Sequence, residues 1–248
     1  MAAPAGAVKL LNVIAIAAHQ VLNIHTLRKA FNRMAKPQAG QPQSVLPWRW
    51  MGERGLRVET GAATLDRYAQ LVSQDFAEFE DIIPADGSIL LILKPGAPPP
   101  AKLAGLLAAR PPRLPERAGR MHVLPLRVSE DVSPDLAVCA ARAGLDARTF
   151  VRQFAAIEFT VAFLGFQPGF PYLAGLPGHW AMPRRATPRV RVPAGSVALG
   201  GGYAGVYPMA GPGGWHVVGQ TDAKLFDPAR AQPALLAAGD RVCFEVQP

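Results

Sequence analysis

"FLGFQPGFPYLAGLPG" (residues 163–178) places four glycines, three prolines and four aromatic residues in sixteen positions. Glycine and proline at that density interrupt helices and strands alike. Rings interleaved among them argue equally against a solvated, disordered linker. The stretch therefore reads as a stiff, apolar, charge-free loop held close to backbone. It lies in a longer acid-free run: residues 159–221 contain no Asp or Glu, but thirteen glycines, eight prolines, nine aromatics and the four arginines Arg184, Arg185, Arg189 and Arg191. The apolar segments in and beyond this run are short and rich in strand-forming residues: "FTVAFLGF", "RVRVPAGSVAL", "YAGVYP", "WHVVGQT" and, near the end, "DRVCFEV". Each is bounded by Gly/Pro punctuation, the pattern of an all-β barrel or sandwich with elaborate loops.

A loop of this kind presents a surface to a ligand or partner. It supplies no acid, base or nucleophile of its own. The block "QPGFPYL", with Phe166, Pro168, Phe170 and Tyr172, is the first candidate for that surface; the competing reading is a set of barrel corners. "PRRATPRVRV" (183–192) concentrates positive charge beside prolines, so Arg184 and Arg189 are candidates to bind a carboxylate or phosphate, the alternative being a solvated strand edge guarded by charge. Ser196 in "VPAGSV" lacks a GxSxG setting and a placed His–acid pair, and reads as a turn hydroxyl. "GGGYAG" (200–205) lacks the Lys-Ser/Thr of a phosphate loop. His216 sits on an alternating strand and reads as a packing or hydrogen-bonding group. No stretch has metal-ligand spacing. On its own the chain does not read as an ATPase.

The rest of the 248 residues divides around this region. The formal net charge is +8, yet residues 1–52 hold six Lys/Arg and no acid, so the remainder carries 20 bases against 18 acids. Residues 1–45 are expected to be a basic extension, an arm or a start assigned too early, with an amphipathic helix over 8–34 and a linker over 35–44. Residues 46–118 read as a small α/β domain of strand–helix–strand–helix order, suggesting a ferredoxin-like sandwich. Its parts are a strand in "WRWMGERGLRVETG", a helix in "TLDRYAQLVSQDFAEF" with Thr64 as N-cap, a strand in "SILLILKPG" and a helix in "AKLAGLLAAR". "PPRLPERAGR" (111–120) is the expected joint. Residues 119–248 begin with the strand "MHVLPLRV" and two helices, the first capped by Ser133 and closed by Gly144, the second capped by Asp146. That helix pair offers only Arg148, Arg152 and Gln153 to a DNA groove, so nucleic acid is not expected as a partner. Cys139 and Cys243 are expected as two buried thiols in a reducing, cytoplasmic setting. No apolar run approaches a membrane span.

The ordered string "FLGFQPGFPYLAGLP…PRRATPRVRVPAGSVALGG…GVYPMAGPGGWHVVGQT…LFDPAR…LLAAGDRVCF" closely resembles the family of prokaryotic 5-oxoprolinase B subunits. Its members are also called KipI-like proteins or allophanate hydrolase subunit 1, and are related to the carboxyltransferase region of urea carboxylase. The resemblance covers residues 48–248 and is strongest over 159–244. It implies an α+β protein in which a small α/β domain precedes a cyclophilin-like β-barrel. It also implies a polypeptide not active alone, working in a hydrolase hetero-oligomer with a homologous C subunit and a LamB/YcsF-type A subunit. That assembly converts 5-oxoproline to glutamate at the expense of ATP, which is bound in the complex and not by this chain alone. The family signature falls on the candidates already named and adds Tyr207, Trp215 and Thr221, with Ser196 in "PAGS". The small molecule implied is an amide or a carboxylate. Two alternatives follow from the same resemblance: a KipI-type module inhibiting a sensor histidine kinase, and a carboxyltransferase component using biotin. No Met-Lys-Met biotin carrier is present, so biotin would arrive on another chain. The sequence departs from the family at polar positions, holding Phe154, Ala155, Phe159, Tyr203, Ala204 and Gln220, so the scaffold is expected to be kept and the ligand to be open to change.

Overall fold

Alternation of apolar and polar residues builds the first unit. The computed structural model describes residues 48–114 and 119–248; the basic helix expected at 8–34 and the linker at 35–44 lie outside them, as does the middle of the expected joint. Strands β1 (Trp48–Met51) and β2 (Gly55–Glu59) form an antiparallel hairpin. Helix α1 (Thr64–Val72), β3 (Phe79–Ala85), β4 (Ser88–Leu93) and α2 (Leu103–Ala108) follow. The sheet order is β1-β2-β4-β3, with Leu56 opposite Leu91 and Val58 opposite Ile89. One face of it, together with Leu71, Phe79, Leu103 and Leu107, forms the core of this unit. Buried Arg67 donates to the carbonyls of Leu106 and Ala109, closing the end of α2 where helix carbonyls lack partners.

Three expectations change here. The segment "WRWMGERGLRVETG" is two strands, because Gly52 at φ 63° turns the chain. The helix in "TLDRYAQLVSQDFAEF" stops at Val72, and Phe79 already begins β3. Thr64 is the first helical residue and not the cap; its hydroxyl donates to the Gly61 carbonyl at 2.8 Å. The resulting ββαββα order replaces the strand–helix–strand–helix order on which the ferredoxin-like expectation rested.

The second unit, residues 114–248 with 84–86, is built on one sheet of seven strands. These are β5 (Met121–Leu126), β6 (Phe159–Leu164), β7 (Pro171–Ala174), β9 (Ser196–Gly200), β10 (Tyr203–Val206), β12 (His216–Gln220) and β13 (Arg241–Val246). Their order across the sheet is β12-β9-β10-β7-β6-β13-β5. The sheet curls until its two ends meet. Arg127, just past β5, exchanges both backbone hydrogen bonds with Gln220 of β12 at 2.8 and 2.9 Å. A near-closed barrel results, as the short strands and turn spacing predicted. A separate two-stranded ribbon, β8 (Arg189–Val192) with β11 (Gly211–Gly213), stands beside it.

Helices α3 (Leu136–Ala143) and α4 (Ala147–Ala155) are joined at Gly144, which closes α3 at φ 73°. Asp146 caps α4 by accepting from the Thr149 N–H at 2.9 Å. The cap of α3 is Asp135 and not Ser133, whose hydroxyl accepts from the Ser129 N–H instead. Helix α4 turns Phe150 and Phe154 into the barrel core with Phe159, Val161, Leu173, Val197, Leu199, Val206 and Phe244.

The strands facing the site are buried on both sides, and their alternation explains how. In β9 and β10 the large residues Val197, Leu199 and Val206 point into the main core. The alternate residues Ala198, Gly200 and Gly205 are small. A Cβ at Gly205 would lie 2.9 Å from the Phe170 ring, and one at Gly200 would lie 2.4 Å from the Trp215 indole. Small residues on the outer face thus leave room for a second cluster of Phe170, Val192, Ala198, Tyr207, Trp215 and Val217.

Candidate functional site

The second cluster opens to solvent as a cleft of about 180 Å³. Its walls are the 165–170 loop between β6 and β7, the 183–188 segment before β8, and the 212–215 segment around the end of β11. Phe170 is the hub of its rings. Phe166, Tyr207 and Trp215 meet it edge-on, with centroids 5.5, 5.1 and 5.4 Å away, and Tyr172 lies tilted at 5.3 Å. Such edge-to-face contacts fix ring orientation beyond what burial alone does. Phe166 is 60% exposed and holds φ 68° in a three-residue turn closed by the Gln167 N–H to the Gly165 carbonyl, 2.8 Å. A bulky residue in the left-handed region is unusual. The fold holds this ring at the rim at a cost in backbone strain.

The cleft's polar side chains are few, and each of them can donate. Arg184 lines it, is exposed, and pairs with no carboxylate among the described residues. Burial pushes the Tyr172 phenol above its ordinary value, with the Arg184 charge acting against the shift. Burial also raises Tyr207, partly countered by a hydrogen bond from the Trp215 backbone N–H. Both phenols therefore stay protonated at neutral pH and remain hydrogen-bond donors. The cleft lining contains no carboxylate, histidine, cysteine or serine. Among the described residues no three His, Cys, Asp or Glu side chains gather as a metal set.

Six of the ten residues singled out in the sequence meet here: Phe166, Phe170, Tyr172, Arg184, Tyr207 and Trp215. The other four do not. Pro168 is at the exposed tip of the same loop, outside the lining. Arg189 is already engaged, its two terminal nitrogens bonding both oxygens of Asp135 at 2.7 and 3.0 Å. Ser196 is 2% exposed, and Thr221 is buried with its hydroxyl accepting from the Ala223 N–H. Both serve the turn at Gly195, whose backbone bonds Tyr207 and Thr221. His216 is buried and donates through Nε2 to the Pro183 carbonyl at 3.0 Å, a role in packing and hydrogen bonding.

Two participants were missed. Arg185 lines the cleft while bonding Asp135 at 2.8 Å. Asp135 lies outside the acid-free run, so its sequence neighbourhood carried no sign that it would meet the arginines of that run. Burial alone would raise its pKa, yet hydrogen bonds from Arg189 and the Val217 N–H and the charges of both arginines hold it below the ordinary carboxylate value.

A family model of the carboxyltransferase domain, subdomain C and D, matches residues 24–236. The chain belongs to that family. A protein named as the B subunit of 5-oxoprolinase from Escherichia coli O157:H7 is 51% identical over 132 residues, 53% of this chain and 61% of that protein. Its namesake from Bacillus subtilis (strain 168) is 40% identical over 125 residues, 50% of this chain and 52% of its own. That from Haemophilus influenzae is 57% identical over 89 residues, 36% and 42% of the two chains. The matched stretches thus span 42 to 61% of these relatives' lengths. Among solved structures, TTHA0988 superposes with a TM-score of 0.65 at 32% identity, over 79% of this chain and 40% of that one. Urea carboxylase of Kluyveromyces lactis superposes at 0.61 with 19% identity, over 86% of this chain and 24% of that one, a likeness of fold alone.

Within this carboxyltransferase-domain chain, the positions expected from the sequence to depart from the resembled family lie mainly away from the cleft. Phe154 and Phe159 are fully buried, 5.3 Å apart and packed on Phe244 in the main core. Gln220 bonds Arg127 and the Ala194 carbonyl near the barrel seam. Tyr203 alone touches the cleft's rings, 5.7 Å from Tyr172. Phe154 and Phe159 belong to this dry core, apart from the cleft's donors.

Proposed function

We propose that this chain is the B subunit of a 5-oxoprolinase-type complex, in which it holds a small carboxylate substrate while the other polypeptides supply the bond-breaking groups. One observation carries the reading: the cleft pairs an aromatic floor with an unneutralised guanidinium and two neutral phenols, and is lined by no nucleophile, base or metal set. Such a site orients an anion and cannot by itself hydrolyse an amide. The names of its relatives point the same way.

In this reading 5-oxoproline sets its carboxylate on Arg184 and its flat lactam ring against Phe170 and Trp215, with a phenol donating to the ring carbonyl. Hydrolysis breaks the lactam C–N bond; water supplies hydroxyl to the carbonyl carbon and a proton to nitrogen, giving glutamate. The cleft does not fit an adenine nucleotide. At about 180 Å³ the cleft falls below the roughly 300–1,000 Å³ of pockets for drug-sized molecules, and no acid lines it to hold magnesium. ATP is accordingly assigned to the partners, a homologous C subunit and a LamB/YcsF-type A subunit. The test is reconstitution of the three polypeptides with 5-oxoproline-dependent phosphate release as the readout. Release that requires this chain supports the reading. Assembly with no release, at any 5-oxoproline concentration, contradicts it and leaves a ligand-binding regulatory module.

A further inference from the structure

Asp135 occupies the N-cap position of α3, yet its side chain caps nothing in its own helix. An N-cap aspartate ordinarily accepts from an N–H in the first turn. This one turns away and docks on strand β12: its backbone N–H donates to the Val217 carbonyl at 3.0 Å, and its Oδ2 accepts from the Val217 N–H at 2.8 Å. The same carboxylate takes the paired Arg189 contacts and the Arg185 contact, four donors in all on a residue 4% exposed. These partners come from three places. Arg185 lies on the segment that carries Arg184, Arg189 begins β8 in the ribbon, and Val217 follows Trp215 by two residues. The backbone N–H of Arg185 also bonds the Gly214 carbonyl at 2.8 Å, joining the opposite walls directly.

We propose that Asp135 is a positioning residue for the cleft: one buried carboxylate locks the arginine segment and the Trp215 strand together, so that Arg184 and Arg185 meet a bound carboxylate in fixed geometry. The inference rests on the reading of the cleft as a carboxylate site. It makes a prediction opposite to that of simple charge. Removing a negative group that faces Arg185 and Arg189 raises the local positive potential and, by Coulomb's law alone, tightens binding of an anion. Loss of the lock loosens it, because long side chains must then be ordered on binding.

The experiment is an NMR titration of the full chain with 5-oxoproline, wild type against Asp135→Asn, with acetate as a second carboxylate. The lock predicts a rise in Kd of about tenfold or more in Asp135→Asn, with partial recovery in Asp135→Glu. Equal or tighter binding by a folded Asp135→Asn chain overturns the lock and leaves the carboxylate site standing. Failure of the wild type to bind either probe overturns the site and the lock together. Should Asp135→Asn not fold, Arg189→Lys keeps the charge and removes the paired geometry. A weaker shift in the same direction supports the lock, and unchanged affinity overturns it.

Discussion

The second unit contains two aromatic clusters that use the same residue types for different ends. In the main core Phe150, Phe154, Phe159, Phe244 and Trp180 pack with ring centroids 4.7 to 6.1 Å apart, all buried. Around the cleft Phe166, Phe170, Tyr172, Tyr207 and Trp215 pack just as closely, but two carry hydroxyls and one ring stands out in solvent. The difference is made by what lies behind the rings. Large aliphatic residues back the first cluster, whereas Ala198, Gly200 and Gly205 back the second and let whole rings lie on the sheet. Ring content alone therefore says little about function; the polar edges, the small backing residues and a charge left unpaired say more.

Substitutions can break this contrast. The largest effect is expected in the main core: Phe154→Ala should cost about 3–5 kcal/mol and lower the melting temperature by roughly 10 °C or more, read by calorimetry. A shift of only a degree or two would mean that the core is not where the structure puts it. Next comes the floor of the cleft, where Gly205→Ala should cost about 1–3 kcal/mol by driving a methyl into Phe170. Unchanged stability there would show that the rings are not seated on the strand. At the rim, Phe166→Gly relieves the left-handed backbone and removes an exposed ring, so stability should change by less than about 1 kcal/mol while 5-oxoproline binding weakens. A large loss of stability would place Phe166 in the core instead.

Two further measurements sharpen the comparison through ionisation. Because Asp135 is held below its ordinary value in the folded chain, its charged form adds stability at pH values above the ordinary carboxylate range. That stability drains away as pH falls through the depressed value. Denaturation curves of wild type and Asp135→Asn should therefore converge on acidification; a constant gap would deny Asp135 its ionised role. The smallest effect concerns the dry core itself. Burial pushes the Cys139 thiol up to about 12, so a maleimide at pH 7 should leave it unmodified in the folded chain. Rapid labelling of Cys139 would mean that water reaches the main core. Cys243, expected buried, is only half-buried, with its thiol also raised.

Much of this was legible in the residues. Period-two alternation with Gly/Pro boundaries gave away the barrel strands, and the density of rings between 163 and 178 marked one wall of the cleft. The hairpin at Gly52 reads as one strand, although Gly52-Glu53-Arg54-Gly55 has the polar, glycine-flanked composition of a turn, because strand-forming residues stand on both sides of it. Arg189 was misjudged for a different reason. Its partner Asp135 is 54 residues earlier, and an ion pair of that separation has no local signature. Ser196 and Thr221 stood in conspicuous motifs, yet Ser196 is buried and the Thr221 hydroxyl accepts from a backbone N–H. The register of β9 against β10 and β12 sets the small residues Ala198, Gly200 and Gly205 on the outward face. That pattern was present in "SVALGGGYAGV" and reads as a ring platform once the alternation is followed through it.

The most direct test of the account is the steady-state rate of the assembled complex, measured as a function of 5-oxoproline with wild type and with Arg184→Ala. The account predicts that the variant assembles normally, as sedimentation would show, while its KM for 5-oxoproline rises about tenfold or more or turnover is lost. Unchanged kinetic constants in an intact complex would mean that the cleft does not hold the substrate.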